Sequence, residues 1–373
     1  MAARNQASFR RDSLKLTSLK TERLRRRLLK WYDTNKRDLP WRGSHDPYAV
    51  WVSEIMLQQT RVAVVVERYQ AFLKRFPSLV SLALAKEEEV LALWSGLGYY
   101  RRARMLHKAA QFVAQNYYGS LPRKSDELRE LPGIGEYTAG AIASIAHGEC
   151  VPVVDGNVER VICRLAGWDE SAKQRRKVGE LAARLVDPAR PGDFNQAMME
   201  LGAVVCLPRG PRCTECPLSV GCTTRGEHRT QKRAPMKSVA VAHALSVRTS
   251  DRKAAHDRSG REVLLEQRPA TVSVMPGMWE LPQLLEAEVP PAELRMTVRH
   301  AIMQTNYYVR IRTVFEDDAA KLTAVQGERR WVSLSDAANI ALTGLARKVL
   351  IRAHLLPTVP LDAIAPPQDG EIV

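Results

Sequence analysis

The sequence predicts a multi-domain chain: an all-helical domain over residues 23–229 with a four-cysteine loop at 206–222, then an α+β domain over residues 238–356. Apolar positions recur mostly at helical spacing from about residue 23 to 205. Beyond residue 237 the period changes to strand-like alternation. Between the two stretches, Cys206, Cys213, Cys216 and Cys222 fall within 17 residues. The 373 residues exceed what one ordinary hydrophobic core holds, so more than one domain is expected.

Residues 1–22 read as a basic tail. The first 37 residues hold twelve Lys or Arg against Asp12, Glu22 and Asp33, a large part of a net charge of +15 from 56 basic and 41 acidic side chains. Such an excess favours a polyanionic partner but does not identify one, since a solvated tail explains it equally. The longest apolar runs, such as Val62 to Val66, are far short of a membrane span, and no apolar stretch follows the first arginines as a secretory signal requires. A cytoplasmic, nucleoid-associated monomer with no membrane partner is the expectation.

Turn signals at Gly43–Pro47, Gly96–Gly98, Gly119–Pro122 and Pro132–Gly135 divide the helical half. The first helix of chemical interest is PYAVWVSEIMLQQTR, starting at Pro47 behind Asp46 as N-cap. Glu54 has Val50, Trp51, Leu57 and Gln58 as its neighbours at helical spacing. A carboxylate on that face is partly desolvated, which raises its pKa and suits it to donate a proton near neutrality. The competing reading is a Glu at the edge of an amphipathic helix.

In LPGIGEYTAGAIAS (131–144), Pro132 and two glycines make a tight turn between helices. Backbone N–H groups of Gly133, Ile134 and Gly135 then lie at a helix N-terminus, an anion site suited to a DNA phosphate. A plain helix-turn-helix connection uses the same residues. Asp155 follows the extended run Val151–Val154 and precedes a helix from about Val158 to Ala166, so it is an N-cap, a rigidly aimed carboxylate, or both.

The four cysteines sit on a loop rich in Pro and Gly. They pair poorly as two relaxed disulfides but can converge on one metal centre, and zinc and an iron-sulfur cluster both accept four thiolates. Arg209 and Arg212 at the loop tip hold positive charge outward. Cys150 and Cys163 read as core residues. The basic segment GEHRTQKRAPMK contains the linker, placed at 230–237. Beyond it Val239–Val247 alternates, Val263–Leu265 is a short apolar run, Tyr307–Val314 alternates, and a helical stretch closes the domain near Asp336–Leu355, with a tail at 357–373.

LPWR (39–42), WVSEIMLQQT (51–60), LWSGLGYYRRAR (93–104), LPGIGEYTAGAI (131–142), VDGNVERV (154–161), FNQAMMELGAVVC (194–206) and the cysteines run in order across about 180 residues. Together they resemble the helix-hairpin-helix DNA glycosylases, and among them the MutY-type adenine DNA glycosylases closely. The resemblance implies a 4Fe-4S cluster on Cys206, Cys213, Cys216 and Cys222. It implies that adenine opposite 8-oxoguanine or guanine in duplex DNA is flipped out and excised. Glu54 would protonate adenine N7, and Asp155 would answer the oxocarbenium ion as stabiliser or nucleophile, supported by Asn157. Trp41, Arg42, Leu57 and Gln196 match pocket positions, while Gln59 and Tyr99 match residues that wedge into the duplex. Tyr137 stands where endonuclease III-like relatives carry a Schiff-base lysine, so a monofunctional enzyme is expected.

Gln267-Arg268-Pro269 and Met275–Pro282 are similar to the family's Nudix-like domain, which reads 8-oxoguanine. No Arg-Glu-x-x-Glu-Glu helix follows Gly277, so no pyrophosphohydrolase activity is expected. Members typically carry a Phe-Ser-His lesion loop. Here Ile302–Asn306 stands in its place, leaving Gln304, Thr305 and Asn306 as substitute hydrogen-bonding residues. The rival readings are an endonuclease III-like glycosylase and lyase acting on oxidised pyrimidines, and a non-catalytic binder of damaged DNA.

Overall fold

The computed structural model describes residues 18–169, 174–226, 235–249, 260–287, 289–302, 304–322, 327–337 and 339–357. Most of the basic tail, most of the linker at 230–237 and most of the tail at 357–373 lie outside the described residues. In chain order the first helices are α1 (Ser18–Asn35), α2 (Pro47–Leu57), α3 (Val62–Arg75), α4 (Leu79–Leu84), α5 (Glu87–Leu93) and α6 (Arg101–Asn116). There follow α7 (Ser125–Arg129), α8 (Glu136–His147), α9 (Gly156–Ala166), α10 (Arg175–Leu185) and α11 (Pro191–Val204). The remainder comprises β1 (Lys237–Leu245), β2 (Val247–Thr249), β3 (Arg261–Gln267), β4 (Trp279–Glu280), β5 (Leu294–Ile302), β6 (Thr305–Thr313), α12 (Glu316–Ala319), β7 (Arg329–Ser333), α13 (Leu334–Ala337) and α14 (Gly344–Arg352). No described helix is long and apolar enough to cross a membrane.

Two compact units result, one formed by residues 1–54 with 121–232 and the other by 55–120 with 233–373. The boundaries at 54/55 and 120/121 fall inside the stretch 23–229 read from the sequence as one helical domain. Helical periodicity reports which face of a helix is buried, not which partner buries it. In the second unit, the helical segment and the C-terminal region are joined by side chains. Tyr100 Oη donates to the Leu342 carbonyl at 3.1 Å, Arg347 Nε to Ser95 Oγ at 2.6 Å, and Arg104 to the Pro276 carbonyl at 2.6 Å.

In the first unit, α1 buries Leu24, Leu28, Leu29 and Tyr32, one stripe at helical spacing, in a core shared with α9, α10 and α11. Arg25 donates to the carbonyls of Leu185 and Arg184, which the end of α10 leaves without intrahelical partners. Gly148 and Gly167, in the left-handed region at φ +70° and +69°, stop α8 and α9. The extended run before Asp155 is held by Asn195, whose side chain accepts from Val153 N at 3.2 Å and donates to the Val151 carbonyl at 2.9 Å.

Among the described residues, the second unit carries two sheets. In one, β6 lies between β1, to which it is parallel, and β5, to which it is antiparallel. In the other, β3 pairs antiparallel with β2, β4 and β7. The alternation read at Val239–Val247 and Tyr307–Val314 falls on β1 with β2 and on β6. The closing helical stretch is broken into α13 and α14, with Thr343 capping α14 through Ala346 N. Strand β5, not expected from the sequence, also alternates, through Leu294, Met296 and Val298, although of these it buries only Val298.

Candidate active site

Asp46 starts α2 as its sequence suggests, its carboxylate accepting from Tyr48 N at 3.0 Å. Two turns on, Glu54 is 5% exposed. Its Oε2 accepts from the Tyr137 hydroxyl at 2.5 Å. Tyr137 stands in the first turn of α8, immediately past the hairpin, and its hydroxyl also lies 3.4 Å from Met199 Sδ on α11. Burial pushes the Glu54 carboxyl up to about 7. The Tyr137 hydrogen bond pulls it down, the negative charge of Asp155 adds to the rise, and Arg42 opposes it. The Tyr137 phenol is pushed well above its usual value by burial and by Glu54, so it remains a donor. The carboxyl is therefore balanced between acid and carboxylate near neutral pH, held by a partner that does not itself ionise.

Asp155 is both an N-cap and an aimed carboxylate. Its Oδ1 accepts from Val158 N at 2.7 Å, which starts α9. Its Oδ2 accepts from Asn157 Nδ2 at 2.8 Å. Arg160 in turn donates to Asn157 Oδ1 at 2.9 Å, to the Gly202 carbonyl at 2.8 Å and to the Cys206 carbonyl at 2.8 Å. A relay of donors thus runs from α11 and the start of the cysteine loop to Asp155. Gly202 permits it, because a Cβ there would lie 2.6 Å from the Asn157 Cβ.

Trp41 is buried, and Arg42 binds Tyr32, whose ring it also covers, together with Gln196 Oε1 at 3.3 Å and Glu200 at 2.5 Å. Glu200, fully buried, accepts twice more from the Arg37 side chain. Burial works against its charge, but those bonds and Arg42 prevail and hold it below the usual carboxylate range. No local sequence pattern marks Glu200, Arg37 or Tyr32 as part of this network. Leu57 is half-buried at the end of α2, while Gln59 and Tyr99 are exposed, in left-handed backbone at φ +55° and +49°. These three belong to the second unit.

At the hairpin, the Ile134 N–H is committed to the Leu131 carbonyl at 3.1 Å and the Ile134 side chain is buried. Of the three residues expected to face an anion, Gly133 and Gly135 are the exposed ones. Gly133 has φ +76°, a backbone that a side chain would strain.

The four loop cysteines line one cavity with Arg164, Arg212 and Arg225. Burial raises the Cys206 and Cys216 thiols, Cys216 to about 11, and the neighbouring cysteines add to that rise. Arg164 clasps the loop, donating to the carbonyls of Leu207 at 2.6 Å and Pro208 at 3.1 Å. Arg209 and Arg212 are exposed, as their place on the loop tip suggests. Cys163 is a core residue, but Cys150 is exposed. It follows Gly148 on the stretch after α8, beyond the helix's buried face.

In the β5–β6 hairpin, Gln304 is exposed and Thr305 half-buried, pairing with Ile302 and Lys237. Asn306 is only 8% exposed, and its Oδ1 accepts from Arg299 at 3.2 Å. It is a poorly presented contact for a base, because Gln304 lies in the turn before β6 whereas Asn306 lies within the strand, paired with Ala301 and turned to the buried face.

A family model described as HhH-GPD superfamily base excision DNA repair protein matches residues 52–188. The chain is 52% identical over 210 residues to adenine DNA glycosylase of Homo sapiens, covering 53% of this chain and 38% of that one. It is 37% identical over 373 residues to adenine DNA glycosylase of Arabidopsis thaliana, covering 89% of this chain and 57% of that one. It therefore spans between 38% and 57% of the length of these relatives. A solved thermostable thymine-DNA glycosylase shares the fold with a TM-score of 0.52 and 30% identity, over 55% of this chain and 96% of that one. The helical hairpin, the buried Glu54 and the helix-capping Asp155 all lie within the matched region. Residues 52–188 of the chain belong to the HhH-GPD superfamily of base excision DNA repair proteins, and the chain is similar to adenine DNA glycosylases.

Proposed function

We propose that the chain is a monofunctional adenine DNA glycosylase that removes adenine mispaired with 8-oxoguanine or guanine from duplex DNA. The observation that carries this reading is the buried Glu54–Tyr137 pair beside Asp155. A flipped adenine is a poor leaving group until a ring nitrogen is protonated, and Glu54, balanced near pH 7, supplies that proton. As the glycosidic bond breaks, positive charge develops on the deoxyribose and the Asp155 carboxylate answers it. Asn157 and Arg160 keep that carboxylate oriented. Similarity to adenine DNA glycosylases favours adenine as the base. The test is a single-turnover assay on duplexes carrying A:8-oxoguanine, A:G, A:C and a thymine-glycol pair, with alkali revealing abasic sites. Release of oxidised pyrimidine with adenine untouched would sink the reading.

Tyr137 has its hydroxyl engaged with Glu54 and offers no amine to an opened sugar. The direct product is therefore expected to be an intact abasic site, with no protein–DNA adduct trapped by borohydride. Efficient trapping would reveal lyase chemistry from another lysine.

A 4Fe-4S cluster on Cys206, Cys213, Cys216 and Cys222 fits the donor set. The four thiols ring one cavity, which a group bound by four thiolates would fill. Such a cluster would fasten the loop that presents Arg209 and Arg212. Anaerobically prepared protein is expected to be brown and to bind about four irons, as one cubane requires. One zinc with neither iron nor sulfide would overturn this.

The C-terminal sheets serve, on this reading, as a Nudix-like reader of the base opposite adenine, with Gln304 and Thr305 at the hairpin as its hydrogen-bonding side chains. Replacing both by Ala is expected to narrow the preference for A:8-oxoguanine over A:G by about tenfold, the value of one lost hydrogen bond in a discriminating site. An unchanged ratio of single-turnover rates would remove the hairpin from lesion reading.

A further inference from the structure

Among the described residues, Gln59 and Tyr99 are two of six non-glycine residues with left-handed backbone, and both are exposed, Tyr99 to 49%. Such conformations persist only where the surroundings over-determine them. Here a single side chain does so. Arg102 Nη1 donates to the carbonyls of Ile55 at 2.6 Å and Met56 at 3.0 Å, at the end of α2. Its Nη2 donates to Thr60 Oγ1 at 2.9 Å and to the carbonyls of Leu97 at 3.1 Å and Gly98 at 3.0 Å. The guanidinium also lies 5.4 Å from the Trp94 ring centroid and 5.6 Å from that of Tyr99. Thr60 Oγ1 contacts the Leu97 carbonyl at 3.3 Å, so the turn carrying Gln59 and the turn carrying Tyr99 are stitched together through one cation.

We propose that Arg102 is a positioning residue that locks the Gln59 turn and the Tyr99 turn into one two-pronged wedge, which opens the base pair before excision. This rests on the adenine glycosylase reading for its substrate. Duplex entry needs two side chains held at a fixed separation, because unstacking a step costs energy that only a pre-formed wedge recovers. The rigid fork of a guanidinium reaches both turns at once, which the point charge of a lysine does not.

The test uses the full chain and its Arg102→Gln, Arg102→Lys and Thr60→Val variants with a duplex carrying 2-aminopurine at the adenine position opposite guanine. Wild type is expected to raise the 2-aminopurine fluorescence on binding. Arg102→Gln should lose most of that rise and fall about 100-fold in single-turnover excision of adenine, the scale of a misplacement of about 1 Å. Its duplex affinity should stay within about threefold, since phosphate contacts supply that. Arg102→Lys and Thr60→Val should fall between, in fluorescence and rate together. Full fluorescence and rate in folded Arg102→Gln or Arg102→Lys would overturn the proposal. So would affinity and rate falling in proportion, the mark of general structural damage. Wild type that opens the pair without ever releasing adenine would instead sink the functional reading and leave the wedge standing.

Discussion

Glu54→Gln is expected to lower single-turnover adenine excision by at least about 10³-fold, within the range for loss of a positioned general acid. Gln fills the same space and can still accept from the Tyr137 hydroxyl, so the site is preserved while the transferable proton is gone. The wild-type rate should depend on the acid form, holding below pH 7 and falling about tenfold per unit above it, because the carboxyl sits at about 7. Stability should move the opposite way in the variant. The folded state holds this carboxyl protonated between its ordinary value of 4.5 and about 7, so the native state binds more protons there and wild type loses stability as pH rises through that window. That loss amounts to about 3 kcal/mol for a shift of this size. Glu54→Gln should therefore be the more stable protein at pH 8 and about equal at pH 4. Thermal melts at both values, with the excision assay, check it. A variant that excises adenine at the wild-type rate would remove Glu54 from the chemistry.

Glu54 and Asp155 could be found in the sequence because each is tied to a local pattern, one to the apolar face of α2, the other to the strand-to-helix junction before α9. Their partners could not. Tyr137 reads as a residue where a lysine is missing. That its hydroxyl holds Glu54 depends on α8 meeting α2 across 83 residues, and no spacing rule encodes that distance. Glu200 was invisible for the same reason, its arginines lying some 160 residues away on the stretch after α1. The four cysteines were legible as a group, being close in sequence, whereas Cys150 was misplaced because a small apolar residue beside a helix end gives no sign of its burial. At the fold level the same division holds. The helices and the strands with alternation were legible, but the grouping of residues 55–120 with the C-terminal region rests on single long-range contacts such as Tyr100 with Leu342.

Asp155→Asn is expected to cost about 10²–10³-fold in the excision step, the scale of one lost electrostatic stabiliser. Asn is as good an N-cap as Asp, so α9 should start as before and the melting temperature should hardly move. What changes is polarity. Asp155 accepts from both Val158 N and Asn157 Nδ2, and Asn157 Oδ1 is already committed to Arg160. An amide at 155 that keeps its bond to Val158 must turn its own N–H₂ toward that of Asn157, and Asn157 cannot flip without facing Arg160 donor to donor. The variant therefore loses the charge and the orientation together. A second consequence falls on Glu54, whose carboxyl is raised in part by the charge of Asp155. With that charge removed, the Glu54 carboxyl ionises at lower pH, and the residual activity should lose its alkaline limb earlier than wild type does. Single-turnover rates between pH 5 and 9, taken alongside wild type, show this as an acid-shifted upper limb. A residual rate of full size, or an upper limb at the wild-type position, would separate Asp155 from the reacting sugar and from Glu54.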